Sequence, residues 1–166
     1  NNHRLWVCNW NYEMFTIDYL RSNTISIFRH TNEITNSSAG YFFWAAMQDT
    51  DGSIWLGTVG GISICNPDRS FYKIHSISSI VHGSKNISIH WIAENKRDSS
   101  WWISTNAPAL IRYDPVKAGF RKYEPENFIA DSHFEKPTAV HQICFVKGKP
   151  MITTTNGAWR YDAPKD

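Results

Sequence analysis

Apolar positions along this chain come in short runs, broken by polar turns rich in Asp, Asn, Gly and Pro, and the runs recur at a fixed distance. Four segments align: RLWVCNWNYEMFTID, SIWLGTVGGISICNP, SWWISTNAPALIRYDP and KPMITTTNGAWRYDAP. Their closing polar residues, Asp18, Asn66, Asp114 and Asp162, are each 48 residues apart. Ile17, Cys65, Tyr113 and Tyr161 precede them, and Met14, Ile62, Leu110 and Ala158 sit four positions before them. Upstream, Trp6, Trp55, Trp102 and Met151 correspond, spaced 49, 47 and 49. A fixed period with matched apolar positions is the mark of a repeat architecture.

One period, Phe42 to Ile74, reads as four strands. Phe42 to Met47 is a continuous apolar run, which predicts a strand buried on both faces. Asp49-Thr50-Asp51-Gly52 is a hairpin turn, because Asp and Gly tolerate the backbone angles a tight turn needs. Ile54 to Thr58 is a second strand, Gly60-Gly61 a turn, and Ile62 to Cys65 a third strand. Asn66-Pro67-Asp68 turns again before a fourth, Phe71 to Ile74. Four antiparallel strands per period of this length make a propeller blade. No window carries a 3.6-residue period, which removes helical repeats. The expected fold is therefore all-β, a partial β-propeller of four-stranded blades. Blade boundaries fall at about 1–30 (lacking its first strand), 41–75, 86–124 and 139–166 (lacking its last).

Trp6, Trp55 and Trp102 recur inside a strand, so they are read as blade-to-blade packing rather than as sugar-stacking rings. Composition narrows the classes further. The net charge of +2 comes from scattered basic residues, so no surface tracks a nucleic-acid backbone. No apolar stretch is long enough to span a membrane as a helix. Cys8, Cys65 and Cys144 form no close pair and no ligand cluster, so they read as small buried side chains, and no metal or cofactor is expected.

The phrase QDTDGSIWLGTVGGISICNPDRSFYKI resembles the repeat of two-component regulator propellers: an acidic turn, Gly-x-Leu-Trp-Ile-Gly-Thr, Gly-Leu, Tyr-Asp, then Phe-x-x-Tyr. Trp101 to Tyr123 is similar with Ser104 for the glycine, Met151 to Asp162 with Met for Trp, and Arg4 to Asp18 is the most divergent. The resemblance implies the periplasmic sensor part of Bacteroidetes hybrid two-component systems, which respond to glycan fragments through a histidine kinase beyond the membrane. It implies a non-enzymatic module, an oligosaccharide or other small ligand, and further blades from the same chain or another copy as partners.

In such a fold one rim carries the loops between second and third strands and the long linkers between blades, here about 29–40, 76–86 and 124–139. Trp10, Asn11 and Tyr12 lie on that rim and break the repeat, and Asn106 and Asn156 occupy the matching loops. Aromatic faces beside amides suit a sugar, which stacks one face and hydrogen-bonds through its hydroxyls. His90 and His141 fall near the starts of first strands, beside the central channel; they are candidate ligand contacts or structural histidines. Two other readings stand beside the sensor: a protein-interaction scaffold, and a propeller lyase or glycoside hydrolase. The enzyme needs an ionisable pair at one rim, and the acidic residues sit mostly in recurring turns, such as Asp49, Asp51, Asp114 and Asp162.

Overall fold

The computed structural model describes residues 4–8, 13–18, 24–29, 42–65, 71–76, 80, 87–124, 128–129 and 139–161. All regular elements among them are strands, arranged in four antiparallel sheets. The first sheet has β1 (Arg4–Cys8), β2 (Glu13–Asp18) and β3 (Thr24–Arg29) in that order. The second runs β4 (Phe43–Gln48), β5 (Ile54–Thr58), β6 (Gly61–Cys65) and β7 (Phe71–Ser76). The third runs β8 (Ile89–Asn95), β9 (Ser100–Thr105), β10 (Leu110–Asp114) and β11 (Gly119–Tyr123). The fourth contains β13 (Val140–Val146), β14 (Lys149–Thr154) and β15 (Gly157–Tyr161). Its outer strand is β12 (Phe128–Ile129), a two-residue piece from upstream that pairs with β15. The fourth sheet, expected to end at its third strand, thus has a fourth. The sheets follow one another as blades of a β-propeller, with β4, β8 and β13 in contact as the innermost strands.

The 48-residue period is a register. Trp6 faces Thr16 across its sheet, Trp55 faces Ile64, Trp102 faces Arg112, and Met151 faces Arg160. All four partners lie two residues before the closing polar position of their repeat. Because side chains alternate along a strand, a one-residue slip would turn these rings to the other face of the blade.

The core sits at the seams between blades. Phe43, Ile54, Leu56 and Cys65 of the second blade form one cluster, against which Trp6 of the first packs. Trp55, Ile62 and Ile64 meet Trp101, Ile103, Ile111 and Tyr113 of the third blade. Trp102, Leu110 and Tyr123 meet Val140, Ile143, Ile152 and Trp159 of the fourth. Trp55 and Trp102 are almost fully buried, and the Trp55 ring lies 4.1 Å from that of Trp101. Their indole N–H groups are anchored in the first hairpin of each blade. Trp55 Nε1 donates to Asp49 Oδ2 at 3.0 Å. Trp102 Nε1 donates to Ser100 Oγ, which in turn donates to Asp98 Oδ1. The Asp49–Gly52 segment is the expected hairpin, closed by a bond from Gly52 N to Asp49 O, with Gly52 at φ 87°. The second blade needs glycine at Gly57 for a close approach: a Cβ there would lie 2.5 Å from Ile89 Cγ2 of the next blade.

Two expectations are corrected. The run Phe42–Met47 is not buried on both faces: from Phe43 onward buried and exposed residues alternate, and Trp44 is 39% exposed. One face of the strand is covered, and the other is left open. Cys65 is buried as expected, but Cys144 is exposed, on the innermost strand β13.

Candidate functional site

Each described innermost strand opens with the same irregularity. The register against its neighbour shifts between Phe43 and Ala45, between Ile89 and Trp91, and between Val140 and Gln142. Trp44, His90 and His141 are the extra residues. A bulge adds one residue without a ladder partner and re-aims its side chain. Phe43, Ile89 and Val140, immediately before, are buried anchors.

The three bulged residues form a continuous row across the blades. The Trp44 and His90 rings lie 5.5 Å apart, tilted by 50°. The His90 and His141 rings lie 5.8 Å apart and are nearly parallel, at 5°. Trp91, next after His90, is 40% exposed. Burial, and secondarily the neighbouring His141, hold the His90 imidazole below its ordinary range. It is therefore neutral near pH 7, with one ring nitrogen donating and the other accepting. Ser104 Oγ donates to the backbone carbonyl of His141 at 2.9 Å, which ties β9 of the third blade to the fourth at this level.

The row lies at the end of the blades that carries the second-to-third-strand loops. Ile89 pairs with Thr105 and Val140 with Thr154, the last residues before those loops. One threonine closes each loop: Thr58 Oγ1 donates to Gly61 O, Thr105 Oγ1 to Ala109 O, and Thr154 Oγ1 to Gly157 O. The linkers end here too, with Gly60 N donating to Ile87 O. Asn106 lies in this loop layer, but its Oδ1 accepts the Ser88 N–H and its own N–H donates to Ser88 O. That side chain positions the linker. Asn156 is half-buried, and its N–H donates to Thr154 Oγ1 within the turn. The sequence-expected residues His90 and His141 are thus brought together, and Asn106 and Asn156 are placed in the surrounding loops. Trp10, Asn11 and Tyr12 lie outside the described residues, as do nearly all residues of the long linkers.

Trp44 and Trp91 were not expected at the site. A signal for Trp44 was present: Phe43-Trp44-Ala45, Ile89-His90-Trp91 and Val140-His141-Gln142 each place a ring directly after a bulky apolar anchor.

A concavity of about 260 Å³ opens at the other end of the seam between second and third blades. Asp49, Asp51, Glu94, Trp55, Trp101 and Tyr113 are among its walls. Burial, and secondarily Asp114, push the Tyr113 hydroxyl up. Asp49 is committed to Trp55 and to the Ser53 N–H, and Glu94 pairs with Lys96 at 3.6 Å, so two of its three carboxylates are already engaged. Among the described residues, no group of three or more His, Cys, Asp and Glu side chains is arranged to hold a metal ion. No helix there is long and apolar enough to cross a membrane.

No protein-family model matches the chain, and no curated protein matches it. Solved structures do. The extracellular domain of BT4673 from B. thetaiotaomicron, described as a hybrid two component system, superposes over 98% of this chain with a TM-score of 0.75 and 21% identity. That of BT3049 from the same organism, described likewise, covers 96% with a TM-score of 0.54 and 13% identity. PorZ, a surface component of the type-IX secretion system of Porphyromonas gingivalis, covers 92% with a TM-score of 0.64 and 12% identity. The chain spans 20%, 27% and 22% of these three structures. At such identity the likeness establishes the fold.

Proposed function

We propose that this chain forms part of the ligand-sensing propeller of a two-component sensor, on the periplasmic or extracellular side of the membrane, and that it binds an oligosaccharide. The observation that carries this reading is the Trp44–His90–His141 row, with Trp91 exposed beside it. Aromatic faces with neighbouring imidazole donors and acceptors match a pyranose, which offers an apolar face and a rim of hydroxyls. The row occupies the bulged positions of the innermost strands, apart from the periodic seam tryptophans. The fold shared with two extracellular domains described as parts of hybrid two-component systems supports a sensory role. Signal output is assigned to a kinase elsewhere in the full protein, and this module itself is read as non-enzymatic. Among the described residues neither histidine has a carboxylate within ion-pair distance to act with it as an acid–base pair.

The test is calorimetry of the full chain against a panel of oligosaccharides, repeated with Trp44→Ala. Binding that is lost in the variant supports the reading. A glycan whose affinity is unaffected by Trp44→Ala binds elsewhere and refutes the site. Capture of a defined protein partner at these loops, with no glycan bound, would replace the sensor reading with the scaffold.

A further inference from the structure

Charge is scarce around the imidazole row. The innermost strands read FWAAMQ, IHWIAEN and VHQICFV. Their ionisable side chains are His90, His141, Glu94 and the thiol of Cys144. Glu94 lies four residues along β8 from His90, lines the concavity at the opposite end and pairs with Lys96. Strand β9, which packs on β8, carries none. The described loops around the row, Val59-Gly60, Asn106 to Ala109 and Thr155-Asn156, carry none either. The described part of this rim therefore holds two imidazoles face to face and no counter-anion.

We infer that the oligosaccharide taken at this site is anionic, a uronic-acid or similarly charged sugar whose acidic group sits over the His90–His141 pair while its ring lies against Trp44. This rests on the glycan reading above and names its ligand class. Two parallel imidazoles 5.8 Å apart repel each other once both are protonated. A ligand carboxylate at the edges of the two rings offsets that repulsion and accepts a charge-assisted hydrogen bond from an in-plane N–H of each. A neutral sugar gains nothing comparable from the second histidine. Binding of the anion is coupled to proton uptake, because a neighbouring anion favours the charged form of an imidazole. Affinity therefore rises as pH falls from about 8 to about 5.5, by up to about tenfold per unit for each proton taken up.

The experiment uses the full chain and calorimetry against paired panels: uronate oligosaccharides, and the same oligosaccharides with their carboxylates methyl-esterified. Sodium acetate serves as the free-anion control. The acids are expected to bind at least about tenfold tighter at the lower pH than at the higher. The esters should bind more weakly and without pH dependence, and His90→Asn or His141→Asn should each weaken the pH dependence of the acids. Equal affinity for acids and esters, with loss of both in Trp44→Ala, would overturn the anionic class and leave the glycan site standing. Acetate binding as tightly as the acids would overturn the sugar and leave a simple anion site. No binding from either panel would overturn both readings together.

Discussion

Replacing Trp55 by alanine is expected to be among the most damaging single changes in the chain. The indole is 5% exposed and lies in the seam between second and third blades. Its ring is 4.1 Å from Trp101 and 5.3 Å from Tyr113. Truncating such a ring removes its transfer free energy and leaves a cavity that two sheets cannot close, a cost of about 3–5 kcal/mol. The hydrogen bond from Nε1 to Asp49 is the smaller part, about 1 kcal/mol, since water reaches half-buried Asp49 once the donor is gone. Trp55→Phe keeps a ring against Trp101 and should cost about 1–2 kcal/mol, the hydrogen bond plus a small void. Domains of this size are stable by about 5–15 kcal/mol, so the alanine variant is measurable in urea and the phenylalanine variant comfortably so. Midpoint shifts at unchanged slope give the two losses. A loss below about 1 kcal/mol for Trp55→Ala would mean that the seam is not closed around this ring, and the blade assignment would fall with it. A loss for phenylalanine equal to that for alanine would place the energy in the hydrogen bond and refute the division made here.

Other consequences are open to the same assay. Gly57→Ala drives a methyl group against Ile89, which is fully buried and has nowhere to move, and should cost about 1–3 kcal/mol. Gly148→Ala drives a methyl group to 2.5 Å from Arg97 Cδ and forces a left-handed backbone at φ +76°, and should cost at least about 1–2 kcal/mol; an unchanged midpoint would contradict that geometry. The His90 imidazole is held below its ordinary range, so on acidification the unfolded chain takes up this proton first. Native stability is therefore lost as pH falls from about 6.5 toward the folded-state value, and His90→Asn should flatten that decline between about pH 7.5 and 5. A wild-type midpoint no more acid-sensitive than the variant's would be inconsistent with the buried, neutral ring.

The seams were legible in the sequence because seam packing obeys the repeat. Trp6, Trp55 and Trp102 recur because each meets the same surface of a neighbouring sheet, and the polar closing residues count out the register. The hairpin at Asp49–Gly52 was legible from turn chemistry alone. The innermost strands were not. Phe42 to Met47 is apolar throughout, and composition cannot separate a ring that faces a channel from one that faces a core. Trp44, His90 and His141 are spaced 46 and 51 residues apart, because linkers of unequal length precede their strands, so the period that aligns the tryptophans misses them. Asn106 and Asn156 lie in loops, but a side-chain amide that braces a linker, as that of Asn106 does, looks the same in sequence as one held out to a ligand.

A repeat scaffold leaves few positions free for chemistry. Seam residues must match a neighbour on either side, and loop threonines must close a turn in the second, third and fourth blades. The bulged residue of the innermost strand answers to neither demand. Its backbone is outside the ladder, its anchor is the buried residue before it, and its ring meets the ring of the next blade. The three described copies differ: one tryptophan and two histidines where the seam tryptophans repeat. Position-specific variety on a periodic frame is what a binding surface requires, since a ligand with no repeat of its own must be met by different groups from successive blades. The rings nonetheless fall within 5.5 and 5.8 Å of one another, because the frame that spares them from packing also fixes the spacing of the strands that present them.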